Sequence, residues 1–60
     1  MSRHVLVVED DRDILELITY NLEREGYVVT GVTSGEDGLD AVRSKKPDLV
    51  LLDLMLPGMD

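Results

Sequence analysis

The chain has no cysteine among its 60 residues, so neither a disulfide nor a thiolate-held metal can support its core. That absence agrees with a reducing compartment. No apolar run is long enough to cross a bilayer. The N-terminus, MSRH followed by a short apolar run that ends in acids, lacks the longer apolar stretch and cleavage site of a signal peptide. These absences predict a soluble, cytoplasmic protein without a membrane segment. Cations are scarce: 6 Lys plus Arg stand against 13 acids, for a net charge of −7. Phosphate backbones need clustered cations, so no nucleic-acid contact is expected within these residues. The acidic excess leaves room for a metal cation or a basic partner. No internal repeat, low-complexity tract or linker is present. Gly31, Gly35 and Gly38 form no phosphate-binding loop, because the G-x-x-x-x-G-K pattern is missing.

What is present is enough apolar residue, 43% of the chain, for one small domain near the lower limit of self-sufficiency. The pattern alternates. His4-Val5-Leu6-Val7-Val8 suits a strand buried on both faces and stops at Glu9-Asp10-Asp11. Residues 12–25 carry helical periodicity through Ile14, Ile18 and Leu22, with Leu15 and Leu17 widening the stripe. Asp10 or Asp11 can cap the start of this helix, and Gly26 can end it in a left-handed conformation. Residues 27–32 read as a second strand, suited to a sheet edge. Ser34 with Asp37 resembles a capping box, and a second helix runs to about Lys45, stopped by Pro47. Residues 48–54 (DLVLLDL) form a third buried strand.

A β-α-β-α-β order with crossover helices implies an α/β fold with a parallel sheet, half of a doubly wound sheet in the order 2-1-3. Such sheets bind ligands beyond the carboxyl ends of their strands, at the switch point. Here that point lies between strands 1 and 3, where Glu9, Asp10 and Asp11 meet Asp53. Strands about 4.8 Å apart bring such carboxylates within one coordination sphere. Crowded carboxylates either take up protons or recruit a cation. Oxygen donors with room for water suit Mg²⁺, and a carboxylate can itself be a nucleophile that forms an acyl phosphate. Asp11 serves equally well as a helix cap. Asp53 interrupts the apolar stretches Leu49–Leu52 and Leu54–Leu56, where an unpaired charge costs several kcal/mol. Met55 and Met59 have no Cys or His beside them and read as gap-fillers rather than soft-metal ligands. His4, the single histidine, reads as a strand-edge residue away from the acids.

VLVVEDDRDI (5–14), TSGEDGLDAV (33–42) and PDLVLLDLMLPGMD (47–60) together resemble the receiver domains of bacterial two-component response regulators. The resemblance implies a flavodoxin-like sheet, of which residues 1–60 form the N-terminal half, with the rest of the domain and an output domain outside them. It implies that Asp53 is the phosphoacceptor and also a metal ligand. Asp10 would bind Mg²⁺ directly, Glu9 through water or at longer range, and Met55 through its backbone carbonyl. Pro57 and Gly58 would shape the following loop. The phosphoryl donor would be a phosphohistidine on a sensor histidine kinase. Glu9, Met55 and the DLMLPGMD wording look most like regulators with a winged-helix DNA-binding output. The role is that of a regulatory phosphoacceptor rather than an enzyme. A switch Ser/Thr, a Lys and an aromatic switch residue would lie beyond residue 60. A haloacid-dehalogenase-like phosphatase would need D-x-D-x-[TV] after strand 1, where this chain has EDDRDI. The alternative reading is an isolated or engineered half-domain that self-assembles without phosphotransfer. Either way the open flank of strand 3 predicts self-association or pairing with a complementary second half.

Overall fold

The computed structural model describes residues 3–53. Three strands and two helices follow in the order β1 (His4–Glu9), α1 (Arg12–Arg24), β2 (Val28–Val32), α2 (Gly35–Lys45) and β3 (Leu49–Asp53). All strand pairs are parallel and their order is β2-β1-β3. The sheet is therefore that of half a flavodoxin-like domain, with β2 at one edge and β1 in the middle.

The β-branched run of β1 is buried throughout: Val5, Leu6, Val7 and Val8 are 0–2% exposed. Successive residues of a strand face opposite sides, so both faces of β1 need cover, and the two helices provide it. α1 seats Leu15 against Gly31, where an added Cβ would stand 2.9 Å from Leu15 Cδ1. α2 seats Gly38 against Val8 and Val32, where an added Cβ would stand 2.8 Å from Val8 Cγ2. Gly31 and Val32 are neighbours in β2, so the helices lie on opposite faces. The α2 side holds the small core of Leu6, Val8 and Ala41, with Val32 packed on it. Neither helix reaches β3.

The inward stripe of α1 is half-buried Leu15, Ile18 and Leu22. Leu17, expected to widen it, is 60% exposed on the outer face, and Ile14, expected in the stripe itself, is 37% exposed. α1 ends one residue earlier than the periodicity predicts because Glu25 caps it and Gly26 adopts φ +95°. The amides of Gly26 and Tyr27 then donate to the carbonyls of Glu23 and Leu22, at 3.0 and 3.1 Å, the paired bonds of a Schellman ending. The Tyr27 amide is thus spent on the helix, and β2 begins at Val28, whose amide donates to the Arg3 carbonyl at 2.9 Å. At α2, the Ser34 hydroxyl accepts from the Asp37 amide at 3.1 Å. The stop is Lys46 in the left-handed region, φ 48°, just ahead of Pro47, which disfavours continued helix in the residue before it. Asp48 precedes β3 rather than opening it: its amide donates to the His4 carbonyl at 2.8 Å.

Candidate functional site

Three consecutive acids leave the carboxyl end of β1, and each has a different environment. Glu9, expected to follow the strand, is its last paired residue and is 0% exposed. A polar residue completes a strand whose other interior positions are aliphatic, because the ladder with β3 continues through it. Asp10 is exposed at the turn. Asp11 caps α1: its Oδ1 accepts from the Asp13 amide at 2.9 Å and the Ile14 amide at 3.2 Å. Its own carbonyl accepts from the Leu15 amide at 2.9 Å. Of the two residues open to capping, Asp11 takes the role and Asp10 does not.

The parallel register sets Glu9 opposite Asp53, one step beyond Val8 opposite Leu52. Adjacent strands lie about 4.8 Å apart, so the end of β3 and the acidic end of β1 share one rim of the sheet. The expected residues Glu9, Asp10 and Asp53 therefore fall on neighbouring strand ends. The Asp53 side chain, Met55, Pro57 and Gly58 lie outside the described residues. Among the described residues, no three His, Cys, Asp or Glu side chains are clustered closely enough to hold a metal ion. The side chains this rim offers are carboxylates, hard oxygen donors whose chemistry fits Mg²⁺ rather than a soft metal.

At the opposite rim lies His4. It opens the central strand at its amino end, as expected, and its Nε2 stands 2.7 Å from Thr30 Oγ1. Its backbone N–H donates to Asp48 Oδ2 at 2.8 Å. His4 and Asp48 thus tie the amino ends of β1 and β3, far from the acids. Sequence reasoning missed the Thr30 and Asp48 contacts. The first depends on the register His4–Val28 and Leu6–Thr30, which periodicity does not fix. The second had a signal in the Pro47-Asp48 pair ahead of a strand. No helix among the described residues is long and apolar enough to cross a membrane.

Comparison with known proteins agrees with this arrangement. The family model described as "Response regulator receiver domain" matches residues 5–60. The chain is 47% identical over 60 residues, its whole length, to the "Alkaline phosphatase synthesis transcriptional regulatory protein PhoP" of Bacillus subtilis (strain 168). The match covers 25% of that relative, so the chain spans about a quarter of its length. A parallel sheet in the order β2-β1-β3, with acids at the ends of β1 and β3, accords with the match over nearly every residue: the chain belongs to the response regulator receiver domain family.

Proposed function

We propose that the chain carries the phosphoacceptor site of a phosphorelay receiver, with Asp53 as the nucleophile. The observation that carries this reading is the register of Glu9 against Asp53 at the end of a buried parallel pair. A carboxylate oxygen of Asp53 attacks the phosphorus of a phosphohistidine on a sensor histidine kinase. The P–N bond breaks, its electron pair returns to the imidazole, and an acyl phosphate forms on Asp53. Asp10, Asp53 and the backbone carbonyl of Met55 would hold Mg²⁺, with Glu9 acting through water or at longer range. When bound, Mg²⁺ supplies charge neutralisation for the phosphoryl group. These residues form the first half of the receiver, and the rest supplies the switch Ser/Thr and Lys. In the longer cytoplasmic protein the receiver governs an output, and the name of the Bacillus subtilis relative supports transcription through a DNA-binding domain outside these residues.

A second reading concerns the chain by itself. Leu49, Val50, Leu51 and Leu52 of β3 are all 36–70% exposed, beside an edge with which no strand among the described residues pairs. Such an edge pairs readily with another strand, which favours self-association of the 60-residue chain or its pairing with a complementary second half. Light scattering after size exclusion is expected to show an oligomer that Leu52→Lys disperses. A folded monomer before substitution overturns this reading.

Beryllofluoride with Mg²⁺ separates the two. If the phosphoacceptor site is competent, the analogue shifts the amide resonances of Glu9, Asp10 and Asp53, and Asp53→Asn abolishes the response. A response that survives Asp53→Asn removes the nucleophile assignment. No response from the unaltered chain favours the self-assembling half-domain.

A further inference from the structure

The turn from β1 into α1 is only two residues long, Asp10 and Asp11, between a fully buried strand end and the first turn of a helix. Asp10 is exposed, and none of the side-chain hydrogen bonds among the described residues involves it. Its direction therefore depends on the residues on either side. Glu9 is fixed by the ladder to β3. On the other side, Asp11 is fixed by three bonds: Oδ1 to the amides of Asp13 and Ile14, and its carbonyl to the amide of Leu15. Its extended backbone, φ −89° and ψ 115°, is the conformation that lets an N-cap accept in this way.

Resting on the phosphoacceptor reading, we infer that Asp11 is the positioning residue of the metal site: its capping bonds lock the β1–α1 turn and so aim Asp10 at the cation. Asp11 does not touch the metal in this account. Its carboxylate is turned to the helix amides, and its contribution reaches the site through the backbone of Asp10. Groups that orient metal ligands commonly alter metal affinity by about tenfold or more when removed.

The test is Mg²⁺ affinity of the 60-residue chain by calorimetric titration, for the unaltered protein and for Asp11→Asn, Asp11→Ala and Ser34→Ala. Asn caps a helix about as well as Asp, whereas Ala does not. Both Asp11 variants lose the same charge, so the difference between them reads the cap alone. Ser34→Ala removes the corresponding cap from α2 and measures what general loss of helix stability does to binding. The expected result is Mg²⁺ binding about tenfold weaker in Asp11→Ala than in Asp11→Asn, with Ser34→Ala unchanged. Equal affinities in the two Asp11 variants overturn the inference, as does an equal weakening in Ser34→Ala. Absence of Mg²⁺ binding by the unaltered chain overturns the metal site itself and this inference with it.

Discussion

β1 and β3 are built from the same kind of sequence and meet opposite fates. Val5-Leu6-Val7-Val8 and Leu49-Val50-Leu51-Leu52 are both four-residue aliphatic runs ending in an acid. In β1 every member is buried, because strands flank it on both sides and a helix covers each face. In β3 every member is at least 36% exposed, because among the described residues no strand pairs with its outer side and neither helix reaches it. An apolar run therefore reports what a strand can tolerate, while the elements around it decide what it buries. The same contrast bears on the site: the β1 side of the acidic rim is set in a packed interior, and the β3 side is held by one neighbour.

The largest effect is expected from making one chemical change in both strands. Leu6→Ala, at a residue 1% exposed, is expected to cost about 2–5 kcal/mol, a large part of the stability of a domain this small. Leu52→Ala, at a residue 70% exposed in the single chain, is expected to fall within about 0.5 kcal/mol of zero at chain concentrations low enough to hold the chain monomeric. Urea unfolding followed by circular dichroism measures both. Similar costs would mean that β3 is covered in solution, and repeating the measurement over a range of chain concentrations would then tell whether a second copy does it.

A smaller effect sharpens the account of how β1 is covered. Gly38→Ala brings a Cβ within 2.8 Å of Val8 Cγ2, on a side chain only 2% exposed that has little room to move. Overpacking of this kind costs about 1–3 kcal/mol, partly offset by the about 1 kcal/mol by which Ala favours a helix over Gly. A net loss of about 1 kcal/mol is expected from those two terms. Gly31→Ala meets the outer end of the flexible Leu15 side chain instead, so its loss should be smaller. The reverse order would show that α1, not α2, is the more rigidly seated helix.

The fold was largely legible in the sequence because its punctuation is local. Gly26 carries the positive φ that the end of α1 requires, Ser34 caps α2, and the aliphatic runs mark the strands. What was misread depends on partners distant in sequence. Leu17 fits the apolar count of α1 yet faces outward, because the sheet lies on the side of the helix that carries Leu15, Ile18 and Leu22. Glu9 reads as the start of a loop, yet pairing with β3 draws it into the strand. The meeting of the ends of β1 and β3 could be anticipated, since it follows from the order 2-1-3. The division of Glu9, Asp10 and Asp11 into interior, exposed and capping residues could not, since three adjacent acids look alike until a helix start selects one of them. Met55 stays an expectation of the family resemblance, outside the described residues.

The most direct test of the phosphoacceptor account is phosphoryl uptake in a complete receiver. Residues 1–60 would replace the matching segment of the Bacillus subtilis relative, and the chimaera would be incubated with acetyl phosphate and Mg²⁺ and read by intact-mass and peptide mass spectrometry. The account predicts a single phosphoryl group on Asp53, lost on chelation of Mg²⁺ beforehand and absent from Asp53→Asn. Undiminished uptake by Asp53→Asn, or a phosphoryl group mapped to another residue in the unaltered chimaera, would contradict it.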